Sequence, residues 1–182
     1  MNLILYWLHL TFAAMKVLLI VYRLLTFILL PIAAIIGIVD VMFLFQALAN
    51  PLALLLVFAI ACIVIYVFAS FSFLTKGIIS GLQCKPSLRD WIRVNAYVSL
   101  VLSILGVRDY ITIISDKSIL GDIVKQVIQQ QTIPPGITAP QLEQIFLKFL
   151  FFFFIFSIVL IIHIILSFRL LRQFSYLFSQ ND

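Results

Sequence analysis

The chain has 182 residues, of which 64% are hydrophobic and 10% are charged, and its mean hydropathy is +1.23. Soluble domains carry roughly 25% charged residues, so this composition predicts an all-α integral membrane protein and argues against a soluble domain. The net charge of +5 does not indicate nucleic-acid binding, because the basic residues flank apolar segments and form no separate basic stretch.

Residues 1–23 are predicted to form a helix that lies in the membrane interface. Asn2, His9, Lys16 and Arg23 recur every seven residues, so on a helix they share one polar stripe among apolar and aromatic side chains. The stretch lacks the basic start and cleavage site of a signal peptide, so we expect it to be retained. The alternative, a first span over residues 3–22, would bury Lys16 at a cost of about 2.5 kcal/mol or more.

The first predicted span covers residues 24–48, and its only charged residue is Asp40. Pro31 lies near the middle and removes one backbone hydrogen bond, which predicts a kink. Three small residues, Ala33, Gly37 and Ala47, lie on the same side of this helix as Asp40. This small-residue face would let another helix approach closely.

The second predicted span, residues 51–74, carries no charged side chain. As a helix it would measure roughly 36 Å, enough to cross a hydrocarbon core of about 30 Å. A basic cytoplasmic loop, residues 75–93, follows it, and we expect a helix to restart there with Ser87 as its N-cap. Gly77 and Gly81 have GxxxG spacing but lie beyond the charge-free run, so we expect them to loosen the helix end rather than to pack a helix.

The third predicted span, residues 91–114, is short between its flanking arginines, Arg93 and Arg108. Polar and small residues draw one stripe along it, namely Asn95, Ser99, Ser103 and Gly106. Such a stripe either lines a polar path or packs against another helix, and we favour packing.

An outer loop, residues 115–148, contains an amphipathic helix with its apolar residues on one face between Ile119 and Ile128. Pro134-Pro135-Gly136 then predicts a turn within residues 132–140. Thr138 and Gln141 are expected to cap the helix that follows.

The fourth predicted span, residues 149–168, has His163 as its only ionisable residue and is followed by a cytoplasmic tail, residues 169–182. The aromatic run Phe151–Phe154 is expected to face lipid or to pack, rather than to bind a pigment or sterol.

Charge asymmetry predicts that both termini are cytoplasmic (N-in and C-in), with the chain in a bacterial inner membrane. Four crossings place eight basic residues inside and four outside, and basic residues are retained on the cytoplasmic side. The inner set is Lys16, Arg23, Lys76, Lys85, Arg89, Arg93, Arg169 and Arg172, which are also the candidate headgroup-contacting residues; the outer set is Arg108, Lys117, Lys125 and Lys148.

Ionisable residues inside a membrane are functional candidates, so Asp40 and His163 are weighed as a site for proton or ion coupling. Their positions within their spans place them at different depths, so a relay between them would need the stripe Asn95, Ser99 and Ser103. The simpler alternatives are a carboxylate at the membrane boundary and a hydrogen-bonded core histidine.

No catalytic, metal or cofactor motif occurs in the sequence. A membrane haem would need two histidines at matched depth, but His9 lies in the predicted interfacial helix. No Ser/His/Asp set, HExxH or phosphate-binding glycine loop is present. Cys62 and Cys84 lie in apolar or reducing surroundings, so we expect no disulfide.

These patterns favour a non-enzymatic accessory or scaffolding subunit of a larger membrane protein complex, acting through helix-helix contacts. Its expected partners are membrane lipids and either larger membrane proteins or further copies of the chain. One alternative is a small transporter or channel component that uses Asp40 and His163. A second is a lipid-interacting membrane regulator that reads anionic headgroups with its basic loop.

Overall fold

The computed structural model describes residues 2–130 and 138–178, with the backbone alone for residues 2–14, 117 and 130. Five α-helices follow in chain order: α1 (Asn2–Ala47), α2 (Pro51–Ser72), α3 (Pro86–Ser115), α4 (Lys117–Gln130) and α5 (Ala139–Gln173). A π-helical segment, Phe73–Ile79, extends α2, and a 3₁₀ turn, Ser175–Phe178, follows α5. No strand occurs in this described part of the chain.

Four of the helices are long and apolar enough to cross a membrane, as predicted. The candidate spans are Met15–Ala47, Pro51–Ile79, Pro86–Ser115 and Ala139–Gln173. Many of their large apolar side chains face outward; Ile38, Phe45 and Leu52 are 66%, 72% and 79% exposed. Such surfaces are unfavourable in water and suit a hydrocarbon environment.

The N-terminal region differs from the prediction in one respect. Residues 2–23 are not a separate helix, because α1 continues from Asn2 through Pro31 to Ala47. No glycine or proline interrupts the chain near Arg23, so nothing in the local sequence ends the helix there. The polar side chains Asn2 and His9 lie outside the part described at side-chain level.

The basic loop is shorter than the predicted residues 75–93. Helical structure extends to Ile79 and begins again at Pro86, which leaves Ser80–Lys85 as the connection. Gly81 has a φ of +64°, a left-handed conformation that ends the helix, so it terminates the element as predicted. Gly77 differs from the prediction, because it is buried inside the π-helical segment and packs closely. Pro86 is the first residue of α3, where its missing N–H costs nothing, and Ser87 therefore lies inside the helix rather than capping it.

The chain divides into two compact units, and the prediction of one membrane domain stays a prediction. Unit 1 comprises Met1–Leu100 with Ile162–Asp182, and unit 2 comprises Val101–Ile161. In unit 1, α1 and α2 pack as an antiparallel hairpin. The Asn50 side chain, in the connection between them, caps the N-terminus of α2. A Cβ added at Gly37 would lie 3.2 Å from Val64 Cγ1, so the predicted small-residue face of α1 packs against α2.

Unit 2 contains the predicted amphipathic helix, here α4. Its residues Leu120 and Val124 are buried and Ile128 is 39% exposed, so the protein itself covers part of the apolar face. The following helix, α5, starts ten residues before the predicted span, at Ala139, and Thr138 N–H donates to Gln141 Oε1 over 2.9 Å as the capping prediction requires. The predicted turn at Pro134-Pro135-Gly136 lies outside the described residues.

Asp116 caps the N-terminus of α4, which gives a testable pH dependence. Its Oδ1 accepts hydrogen bonds from Ser118 N–H at 3.0 Å and Ser118 Oγ–H at 2.6 Å. The Ser118 hydroxyl and amide hold the pKa of Asp116 below its ordinary value. Because the folded pKa is lowered, the stabilisation is present above the unfolded value and is lost as the pH falls through the folded value.

We therefore expect the protection factors of the amides in the first turn of α4, which correct for the intrinsic exchange rate at each pH, to fall below the ordinary pKa range of aspartate. Asp116→Ala should show the low protection factors at every pH, whereas Asp116→Asn should keep most of the protection and lose the pH dependence. Protection in Asp116→Ala equal to that of the parent chain at pH 7 would contradict the capping role.

Candidate functional site

A buried polar network connects three helices of unit 1 around His163. Each helix carries two polar residues four positions apart: Tyr22 and Thr26 on α1, Tyr66 and Ser70 on α2, and His163 and Ser167 on α5. Ser70 joins the network only through its backbone carbonyl, because its Oγ is buried without a hydrogen-bond partner among the described residues. A four-residue spacing puts both members of a pair on one helix face. All six side chains are buried in an otherwise apolar core.

The Thr26 hydroxyl determines the tautomer of His163. Thr26 Oγ1 donates to the backbone carbonyl of Tyr22 over 2.7 Å, so its single proton is already used. Thr26 Oγ1 also lies 2.9 Å from His163 Nε2 and must therefore accept a hydrogen bond there. His163 consequently carries a proton on Nε2.

Tyr66 completes the coordination of the ring from α2. Its hydroxyl lies 2.7 Å from His163 Nδ1, and in the neutral Nε2–H tautomer that nitrogen is an acceptor, so Tyr66 donates. The Ser167 hydroxyl lies 2.8 Å from the same oxygen and 3.3 Å from the Tyr22 hydroxyl, and because it has one proton it donates along the shorter contact, to Tyr66. Tyr22 stacks on one face of the imidazole, with ring centroids 4.7 Å apart.

The hydrogen bonds of the network all point the same way along the chain of donors and acceptors, and the last acceptor is a backbone carbonyl. The protons point from Ser167 to Tyr66, from Tyr66 to His163, from His163 to Thr26, and finally to the Tyr22 carbonyl. A carbonyl has no proton to pass on, so a relay would stop there. Both ring nitrogens are also occupied, which leaves no lone pair of His163 for a haem iron or another metal. The arrangement locks three helices together.

Asp40 lies apart from this network. It is fourteen residues beyond Thr26 on α1, roughly 21 Å along the helix, so the two candidate ionisable residues are separated as their predicted depths require. The residue is 7% exposed, and its Oδ1 is buried without a hydrogen-bond partner among the described residues. The facing helix α2 offers no charged residue.

Two side chains of the predicted polar stripe on α3 donate hydrogen bonds to backbone carbonyls of the same helix. Asn95 Nδ2 donates to the Trp91 carbonyl at 2.8 Å, and Ser99 Oγ donates to the Asn95 carbonyl at 2.7 Å. Ser103 is also buried, and a Cβ added at Gly106 would lie 2.9 Å from Ser157 Oγ in unit 2. These contacts favour helix packing over a polar path.

Comparison of the chain with known protein families, with curated protein sequences and with solved structures finds no match. The site must therefore be interpreted from its own geometry. No group of three or more metal-binding side chains occurs within the part of the chain that the structure describes.

Most candidate headgroup-contacting residues are exposed. Lys16, Arg23, Lys76, Lys85, Arg93, Arg169 and Arg172 are exposed, and Arg89 is partly buried. Arg23 stands over the Phe27 ring at 5.9 Å. The free thiol of Cys84 lies among the basic residues. Burial raises the pKa of that thiol, and the Lys76 ammonium acts in the opposite direction. Leu82 N–H donates to the Lys76 carbonyl at 3.1 Å, so Lys76 lies beside the Ser80–Lys85 connection.

Sequence reasoning identified His163 but missed its partners. Tyr22, Thr26, Tyr66, Ser70 and Ser167 are individually unremarkable in apolar helices, where hydroxyl groups commonly bond to the backbone. A usable signal was present, because three helices each carry a polar pair spaced by four residues. That signal identifies the faces but does not show which pairs meet.

Proposed function

We propose that the chain is a non-enzymatic accessory or scaffolding subunit of a larger membrane protein complex and that it acts through helix-helix contacts. The observation that carries this proposal is Asp40, whose Oδ1 is buried without a hydrogen-bond partner among the described residues. The other intramembrane candidate, His163, is fully satisfied inside the chain and needs nothing from outside.

A buried carboxylate without a donor is unfavourable by several kcal/mol, so natural proteins pair or neutralise it. The facing helix α2 offers no basic group, and Thr26 with its network is too distant. We assign the missing donor to a Lys or Arg on a membrane helix of the partner, which would approach Asp40 at its remaining exposed edge.

Four crossings with N-in and C-in topology complete the proposal, in the inner membrane of a bacterium. The support is the length and apolarity of the four helices together with the excess of basic residues at one end. Helix association in a bilayer relies on close packing and interhelical polar contacts, and this chain presents both.

Purification of the full chain from its native membranes in mild detergent tests the proposal. The parent chain should co-purify with membrane protein at a fixed ratio by quantitative mass spectrometry. Asp40→Asn should lower that ratio about tenfold, because removing one member of a buried charged pair leaves the other unpaired. Asp109→Asn is the matched control, since Asp109 is exposed and already pairs with Arg108 at 2.7 Å. A stable lone monomer would overturn the proposal, as would equal ratios for the two variants.

The transporter alternative draws on the same carboxylate but receives less support from the rest of the site. The His163 network ends at a backbone carbonyl, and Asp40 Oδ1 makes no hydrogen bond to it or to any other described residue. Flux that changes in both Asp40→Asn and His163→Ala, with protein level intact, would favour the transporter over the scaffold.

A further inference from the structure

Six basic residues gather at one end of unit 1, which we call the basic end: Lys76, Lys85, Arg89, Arg93, Arg169 and Arg172. The rings of Tyr97 and Phe168 lie 5.4 Å apart and fix the register between α3 and α5. Arg93 precedes Tyr97 by one turn and Arg172 follows Phe168 by about one turn, so these two arginines lie at the same level.

The C-terminal 3₁₀ turn fixes the other half of the basic end. Cys84 N–H donates to the Leu177 carbonyl at 2.8 Å, which attaches the Ser80–Lys85 connection to this turn. The Phe178 and Phe73 rings stack with their centroids 5.4 Å apart. The Arg89 guanidinium carbon lies over the Phe178 ring, 6.0 Å from its centroid. Gly77 fits closely there, since an added Cβ would lie 3.1 Å from Cys84 Sγ.

The positive charge of the basic end is not balanced by the protein that the structure describes. Within the described ranges 2–130 and 138–178, Arg89 alone of the six has a carboxylate within 4.0 Å, and that contact, Nε to Asp90 Oδ1, is 3.9 Å long. Arg89 Nε is buried and makes no hydrogen bond among the described residues. In unit 2, by contrast, Arg108 and Lys125 lie 2.7 and 3.2 Å from the carboxylates of Asp109 and Asp122.

We propose that the basic end binds the phosphate of an anionic phospholipid headgroup, with Arg89 as the central ligand. A guanidinium presents several N–H groups in a planar fork that matches phosphate, and the Phe178 ring holds it in place. The segments that carry these basic residues also carry the exposed apolar side chains Ile79, Leu82 and Trp91, which suits a lipid better than a free anion. The ends of the apolar helices put this group at headgroup level.

Trp91 provides a readout of lipid binding at the basic end, because it is exposed near the start of α3 and lies between Arg89 and Arg93 in the chain. In a Trp7→Phe background it is the only tryptophan, and its fluorescence can be titrated in neutral detergent. We expect dihexanoyl phosphatidylglycerol to bind at least about tenfold more tightly than dihexanoyl phosphatidylcholine, and this preference should decrease with added salt.

Arg89→Gln should weaken phosphatidylglycerol binding about tenfold, and Arg89→Lys should weaken it less, because Lys keeps the charge and loses the fork. Arg108→Gln is the matched control and should change nothing, since Arg108 is neutralised by Asp109. The exposed pair Lys76→Gln with Lys85→Gln gives the same test without disturbing the packing of Arg89. Its affinity should also fall about tenfold.

Equal affinity for the two lipids would overturn the proposal, and so would an effect of Arg108→Gln equal to that of Arg89→Gln. Inorganic phosphate that competes as strongly as phosphatidylglycerol would overturn the assignment to lipid. The test is independent of the co-purification experiment, because it uses the chain alone and leaves Asp40 unchanged.

Discussion

Tyr66→Phe should lower the free energy of unfolding by about 1–3 kcal/mol, because it removes one oxygen from a fully buried network and leaves its partners unsatisfied. The Tyr66 hydroxyl makes two short hydrogen bonds, 2.7 Å to His163 Nδ1 and 2.8 Å to Ser167 Oγ. The ring remains, so the loss reports hydrogen bonding rather than packing. Unfolding of the full chain in mixed detergent micelles, followed by circular dichroism, measures the difference.

Tyr22→Phe is the matched control on the facing helix. Tyr22 is equally buried, but its hydroxyl is only 3.5 Å from the Ser70 carbonyl and 3.3 Å from Ser167 Oγ. Bonds of that length are weak, so we expect its loss to cost less than about 1 kcal/mol. Equal costs for the two tyrosines would contradict the proposed arrangement of protons.

A double-mutant cycle tests the central contact directly. His163→Leu removes the acceptor that Tyr66 uses, so adding Tyr66→Phe to it should cost less than Tyr66→Phe alone. Tyr22→Phe should combine with His163→Leu more nearly additively, because Tyr22 stacks on the ring without a hydrogen bond to it. Strict additivity for Tyr66 and His163 would show that the contact does not stabilise the fold.

The helices could be predicted from the sequence because each is an apolar segment ended by local chemistry. Asn50 with Pro51, Gly81 and Pro86 each mark a boundary through backbone preferences that depend on one or two residues. The continuity of α1 past Arg23 differs from the prediction, because a charged side chain does not end a helix where the backbone has no reason to stop.

The site could be predicted only in part, because its contacts depend on register between helices distant in sequence. Thr26 and His163 are separated by 137 positions, and Tyr66 and His163 by 97. A shift of one residue in either helix would rotate the polar pair away from the shared core. His163 was recognisable as the one ionisable residue in its span, whereas Asp40 was recognisable only as an acid and not as an unpaired one.

Gly37→Leu should also destabilise the chain, by about 1–3 kcal/mol, because it overpacks the α1–α2 hairpin. A Cβ at this position would lie 3.2 Å from Val64 Cγ1, and the further carbons of leucine would meet the same helix. The higher helix propensity of leucine, worth up to about 1 kcal/mol, opposes this loss. Gly121→Ala is the control for propensity, because its nearest neighbour, Glu143 Oε1, is 4.0 Å away and leaves room.

Adding Val64→Ala to Gly37→Leu should restore part of the lost stability, because it removes the two methyl groups nearest to the new side chain. Val64→Ala alone should destabilise by creating a cavity, so the sign of its effect is expected to reverse between the two backgrounds. Unfolding in the same mixed micelles measures the free energy of unfolding of the parent chain, the two single variants and the double variant. If Val64→Ala destabilises both backgrounds equally, α1 and α2 do not meet at Gly37, and the small-residue face of α1 is free for another helix.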